Sequence, residues 1–241
     1  MKLLSLECSA GPASAAISED GRILAECYAN VKLTHSETLL PMVQNALSAA
    51  RLRIEEMDGF AVACGPGSFT GVRIGVAALK GMAWAAGKPC AAVSSLEGMA
   101  ALQSGCRGVI VAAMDARCRQ VYNALFCADG EGVRRLCPDR ALMLDQLSEE
   151  LSALAAGRCR GMDFFFCGDG AGLAFDAAAV ERKHLAPPHL RYQRASGVAL
   201  AAERMFSAGE VVEAAALMPF YLRLPQAERE LRAKQASGSN G

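Results

Sequence analysis

Apolar and polar positions follow one another along the chain in an order that occurs twice. Lys2–Cys8 is a short apolar run closed by the turn Ala10-Gly11-Pro12. Ser14–Ser18 and Arg22–Asn30 are two further strands joined by Glu19-Asp20-Gly21, a hairpin turn of the Asp-Gly kind. A helix is expected after Thr34, whose spacing to Glu37 suits a capping box. Its apolar positions Leu39, Val43, Ala46, Leu47 and Ala50 recur at a period near that of a helix. Pro41 removes the bond to Glu37 and is expected to kink it. Phe60–Cys64 is continuously apolar, as a strand buried on both faces would be. Gly65–Thr70 then reads as a loop, Val72–Ala86 as a helix, Cys90–Val93 as a strand, and a further helix starts near Ser95.

The second half repeats the pattern. Gly108–Met114, Gln120–Cys127 and Val133–Cys137 are strands separated by the turns Asp115–Arg119 and Asp129–Gly132. A helix over Ala141–Ala156, a strand over Asp163–Cys167, a glycine loop at Gly168-Asp169-Gly170 and a helix over Leu173–Ala179 complete it. Glu7 and Asp115 stand at matching points after the first strand of each half. Three antiparallel strands followed by helix, strand and helix, used twice, predict an α/β chain of two similar βββαβα lobes. This is the element order of the actin-like ATPase fold (ASKHA, ribonuclease H-like). The expected division is a first lobe over 1–103, a second over 104–209 and a C-terminal segment over 210–241. The tail from Gln226 to Gly241 is expected to fray.

Composition narrows the possible functions. The 241 residues are 52% hydrophobic and 21% charged, a globular balance. The 25 basic and 25 acidic residues cancel, so the totals lack the cationic excess typical of direct nucleic-acid binders. No apolar run is long and unbroken enough to span a bilayer, and Glu7 follows too soon for an export signal. The ten cysteines form no Cys-x-x-Cys pair, so reduced thiols in a cytoplasmic protein are expected rather than zinc or redox chemistry.

Gly65-Pro66-Gly67-Ser68-Phe69-Thr70-Gly71-Val72-Arg73-Ile74-Gly75 is the most distinctive stretch. It joins a buried strand to a helix start, where free backbone amides suit an anion. It lacks the Lys-Ser/Thr pair of a P-loop, and Gly67 and Gly71 are one residue too far apart for the dinucleotide fingerprint. Ser68 or Thr70 is expected to cap the helix. Beyond it, Gly71, Gly75, Ala78, Gly81, Met82 and Ala85 form a ridge of mostly small side chains. Interior glycine costs ~1 kcal/mol relative to alanine, so close approach of another backbone should offset it. The approaching backbone is either the chain's own sheet or first helix, or a partner's helix.

This block, with His35-Ser36-Glu37-Thr38-Leu39-Leu40-Pro41, Asp115-Ala116-Arg117 and Pro219-Phe220-Tyr221-Leu222-Arg223, resembles the TsaB (YeaZ) family along residues 1–223. The resemblance implies a role in making N6-threonylcarbamoyladenosine at position 37 of tRNA, as a non-catalytic subunit. The implied partners are a TsaD-type paralogue that transfers the threonylcarbamoyl group and a TsaE-type P-loop ATPase. A homodimer through the same helices is also expected, and tRNA is reached only through the complex. No cofactor is expected on this chain; ATP and metal belong to the partners. His35 matches the first of the paralogue's two metal histidines, but Leu39 stands at the second. One histidine does not make such a site. His184 and His189 flank Pro187-Pro188 in an expected loop, and Glu97 and Asp169 are lone carboxylates.

The partner face is expected on His35, Glu37, Leu39, Leu40, Val43 and Leu47 of the first helix. It continues over Gly67, Phe69, Thr70, Gly71, Arg73, Gly75, Ala78 and Met82 of the glycine block and second helix. Glu7, Asp115, Arg117, Gly168 and Gly170 are expected as further interface residues or as remnants of nucleotide contacts. Glu7, where the fold's ATPases carry Asp, would reach too far toward a nucleotide. A small-molecule kinase of the same fold is the main alternative, and a degenerate glycoprotease-like metallopeptidase a weaker one.

Overall fold

The computed structural model describes residues 1–31 and 33–223. The first lobe is built on a five-stranded sheet. Its strands are β1 (Lys2–Glu7), β2 (Ala13–Glu19), β3 (Arg22–Ala29), β4 (Gly59–Gly65) and β5 (Cys90–Ser94), in the order β3-β2-β1-β4-β5. β1 runs antiparallel to β2 and parallel to β4, and β4 runs parallel to β5. The second lobe holds β6 (Arg107–Asp115), β7 (Gln120–Asp129), β8 (Val133–Arg135), β9 (Arg140–Met143), β10 (Asp163–Cys167) and β11 (Lys183–Leu185). Its order is β11-β10-β6-β7-β8, with β9 also pairing with β7. Each sheet reads as the other written backwards, so the repeat in the sequence is a repeat in space. This is the two-lobed actin-like fold.

Helices cover both sheets. α1 (His35–Ala50) and α2 (Phe69–Ala86) lie on one face of the first sheet. Leu39, Met42, Val43 and Ala46 of α1 and Val72, Val76, Leu79 and Ala83 of α2 are buried there against Leu4, Leu6, Phe60 and Val62. α4 (Leu144–Ala156) and α5 (Ala171–Ala177) do the same for the second sheet, over Val109, Val111, Phe164 and Phe166. α3 (Ser95–Ala101) packs Leu96 and Met99 onto the second sheet's other face. α7 (Ala195–Ala208) follows the second lobe in sequence but packs on the first. Val198, Ala201 and Ala202 meet Leu3, Ala61, Ala63, Ala91 and Val93.

Several expectations are corrected. Thr34 stands at the N-terminus of α1, but its side chain makes no cap bond. Its carbonyl instead accepts from Glu37 N–H at 3.1 Å and Thr38 N–H at 3.2 Å, so no capping box forms. α1 runs on through Pro41 as one element. α2 starts at Phe69 rather than Val72, and Ser68 is its cap: Gly71 N–H donates to Ser68 Oγ at 3.3 Å. Arg140–Met143 is a strand, not the first turn of α4, because it is captured by β7. α5 starts at Ala171 and not Leu173. His184 lies in β11, which takes the place that β5 has in the first sheet, and His189 in the one-turn helix α6 (Pro188–Arg191). The expected frayed tail from Gln226 lies outside the described residues.

Candidate functional site

Two regions gather the residues singled out above: the cleft between the lobes and the outer face of α1 and α2. The cleft encloses about 520 Å³. The first lobe contributes Ser9, Ala10, Gly11, Pro66, Gly67, Ser68 and Phe69 to its walls. The second contributes Met114, Asp115, Ala116, Arg117, Tyr122 and Asp169, and the segment Phe220–Arg223 lies along it. Asp115 and Arg117 thus reach the cleft as expected. They bond to each other there: Arg117 N–H donates to Asp115 Oδ1 at 2.8 Å, and the guanidinium lies 3.3 Å from Oδ2. Arg117, Cys118 and Arg119 all have positive φ (65°, 52° and 56°), an uncommon left-handed run at the β6–β7 turn.

Glu7 does not line the cleft. Its carboxylate is buried and turned back on its own loop, accepting Ser9 N–H at 2.5 Å. The long arm therefore folds inward instead of reaching forward. Burial, helped by the Asp169 charge, pushes its pKa up to about 7 despite the bonds from Ser9. Gly168 and Gly170 do not line the cleft either. A Cβ on Gly168, at φ 105°, would stand 2.0 Å from the Ala113 carbonyl oxygen, and one on Gly170 would stand 2.7 Å from the Met114 carbonyl carbon. These glycines let the loop lie against the end of β6 and deliver Asp169 to the cleft. Asp169 Oδ1 accepts from Gln193 Nε2 at 2.7 Å, and burial raises its pKa. In the sequence Asp169 stands as a lone carboxylate because Gln193, its partner, is distant in the chain.

The other isolated groups also have partners. Glu97 pairs with Arg135 at 2.8 Å and Arg204 at 3.5 Å. His184 Nε2 lies 2.8 Å from Asp163 Oδ1. Bonds from Arg182 and His184 hold Asp163 down at about 2. His35 Nε2 meets the Ala10 carbonyl at 2.7 Å, and Leu39 is in the core.

The small-residue ridge divides between two faces of α2. Gly71 and Gly75 face inward. A Cβ on Gly71 would lie 2.1 Å from the Cys8 carbonyl oxygen, and one on Gly75 would lie 2.6 Å from Cys8 Sγ. What approaches them is the chain's own Cys8, just past β1: its backbone at Gly71 and its side chain at Gly75, with Cys8 Sγ–H donating to the Gly71 carbonyl at 3.1 Å. Leu39 and Val43 are likewise core residues, and Leu47, Ala78 and Met82 are half-buried against it. Gly71, Gly75, Leu39 and Val43 are thus taken up by the chain's own packing, while Leu47, Ala78 and Met82 keep part of their surface exposed. The outward set is Thr70, Arg73, Ala77, Gly81, Trp84 and Ala85, and a Cβ on Gly81 would meet nothing within 4 Å. Trp84 is 67% exposed, and on α1 Leu40 is 50% exposed, with Glu37 and Pro41 also exposed. Ala77 and Trp84 were missed because the helical period marks a stripe without saying which stripe faces out.

The profile of the family described as TsaD, tRNA N6-adenosine threonylcarbamoyltransferase, matches residues 23–231. The tRNA threonylcarbamoyladenosine biosynthesis protein TsaB of Escherichia coli is 28% identical over 98% of this chain and all of its own length. The protein of that name from Bacillus subtilis is 34% identical over 63% of this chain and 66% of its own. The solved structure of YeaZ from Pseudomonas aeruginosa superposes with a TM-score of 0.78 at 29% identity, over 92% of this chain and 99% of that one. Among the described residues no helix is long and apolar enough to cross a membrane.

Proposed function

The chain belongs to the TsaB (YeaZ) family of tRNA threonylcarbamoyladenosine biosynthesis proteins, and on that premise we propose that it is the non-catalytic subunit that scaffolds a TsaD-type transferase. The observation that carries this reading is the outward stripe of α2, where Ala77 and an unobstructed Gly81 lie beside an exposed Trp84. Interior glycine is costly in a helix that only meets water, and a bare glycine beside an exposed tryptophan suits a helix from another chain packed closely. A partner built on the same fold lays its own α1 and α2 against this pair and closes a four-helix bundle. A second copy of this chain can use the same face in the partner's absence. A TsaE-type ATPase joins the pair, and ATP and metal are held by the partners.

Two further observations support a non-catalytic role. Glu7 is sequestered by Ser9, and Leu39 occupies the core where the paralogue's second metal histidine would stand. The zero net charge suits indirect tRNA contact through the complex.

The test is co-purification of the full chain with a TsaD-type protein, then with its Gly81→Leu variant. A bulky side chain in a close seam costs ~1–3 kcal/mol, or roughly 5- to 150-fold in affinity. Gly81→Leu should weaken the complex by that factor while the isolated chain keeps its melting temperature. Formation of the modified nucleoside by this chain with a threonylcarbamoyl-adenylate synthase, but without the transferase, would overturn the reading.

A further inference from the structure

The cleft is crossed by the chain's own late segment. After Leu217, which is buried in the first lobe's core, the backbone passes over the end of β4 and continues to the second lobe. Lys80 holds the approach, with Nζ donating to the Ala215 carbonyl at 2.7 Å and the Leu217 carbonyl at 3.3 Å. Phe220 N–H then donates to the Cys64 carbonyl at 2.7 Å. The fit over the next residue is tight: a Cβ on Gly65, at φ 121°, would stand 2.2 Å from the Phe220 carbonyl oxygen. Tyr221 stacks on Phe69 with ring centroids 4.8 Å apart, and its Oη accepts Arg73 Nε–H at 2.9 Å. Arg73 itself lies over the Phe69 ring at 3.8 Å. Two residues on, Arg223 Nη1 donates to the Ala116 carbonyl at 3.1 Å, on the β6–β7 turn of the second lobe.

We propose that Phe220–Arg223 is a clasp that fixes the opening between the two lobes, and that the lobes move apart only when this clasp is released. The lobes of such a fold are joined on one side by packed elements, so the opposite side is free to hinge unless something ties it. The clasp supplies that tie with an aromatic anchor on one lobe and a guanidinium on the other. All four of its residues line the cavity between the lobes. A segment that only packed on the surface would not need Gly65 bare of side chain beneath it, nor a bond to the far lobe.

Hydrogen exchange on the full chain tests this. In the unaltered protein the Phe220 amide should be protected, together with the amides of Gly65–Thr70 and Ala116–Gln120. Removing both anchors with Tyr221→Ala and Arg223→Ala should raise exchange roughly tenfold at all three places at once, the loss expected when one or two such bonds are removed. The strands β1, β6 and β10 should keep their protection. Should the double variant fold poorly, Tyr221→Phe and Arg223→Gln, each alone, remove a single bond and should give smaller increases at the same three places. Phe220 exchanging at the rate of an unstructured peptide in the unaltered chain would overturn the proposal. So would a folded variant in which only residues 219–223 lose protection while both cleft walls keep theirs.

Discussion

Single residues at the end of β1 carry the most specific constraints in the molecule. Glu7 is a carboxyl whose folded pKa lies near 7, against an ordinary 4.5, because burial disfavours its charge. The folded state therefore holds the proton more tightly than the unfolded state does. Its stabilising effect is complete below about pH 4.5 and is lost as pH rises through about 7. At ~1.4 kcal/mol per pH unit the swing between 4.5 and about 7 is at most about 3.5 kcal/mol. Glu7→Gln keeps an acceptor for Ser9 N–H and should flatten this dependence. Urea midpoints of both proteins at pH 5 and pH 8 should show the larger fall in the unaltered one. Next to it, Gly75 has no room for a side chain against Cys8 Sγ. Gly75→Leu should lower the stability of the isolated chain by ~1–3 kcal/mol or more, read as a lower melting temperature. These two residues were prominent in the sequence, but their roles were not legible there. A glycine's spacing shows that something comes close, not whether that neighbour is Cys8 of the same chain or a side chain of another.

At the scale of elements, α2 presents opposite faces of similar composition. Gly75→Leu and Gly81→Leu form a matched pair across the helix, one inward and one outward. The first should lower the melting temperature and the second should leave the chain as stable as before or slightly more so, since replacing an exposed helical glycine gains up to ~1 kcal/mol. Thermal melts of the two proteins side by side check this. The succession of strands along the chain, the hairpin turns and the strand–loop–helix passage at Gly65–Gly75 were legible, because each depends on local periodicity and turn chemistry. The strands β9 and β11 were not. Arg140–Met143 has no strong pattern of its own and is a strand because β7 extends far enough to pair with it. Lys183–Leu185 is a three-residue edge whose pairing with β10 is a tertiary event.

At the scale of the whole molecule, an ion network joins the lobes. Arg135 pairs with Glu97 of α3 and with Asp139, whose side chain is only 8% exposed and also accepts Ser94 Oγ–H at 2.6 Å. Removing one member leaves a buried carboxylate without a countercharge, which costs ~3–5 kcal/mol when fully buried. Arg135 is about a third exposed, so Arg135→Met should fall at the low end, near ~3 kcal/mol by chemical denaturation. The thiols give a second global check. All ten cysteines are free, and Cys118 at the β6–β7 turn is the exposed one; the rest are buried or half-buried. Alkylation should modify Cys118 first in the native chain and all ten after denaturation, read by mass. The two-lobed plan was legible because the element order repeats, whereas the path of α7 was not, since order in the chain says nothing about which sheet a late helix returns to.

That return has a consequence for synthesis. The back of the first sheet, with Leu3, Ala61, Ala63, Ala91 and Val93, is covered by a helix made only after the whole second sheet. A ribosome adding ~5–20 residues per second leaves this apolar surface bare for on the order of ten seconds. Through that interval the nascent amino-terminal half is not a finished module, and a message truncated before Ala195 encodes a chain that lacks the helix covering this face.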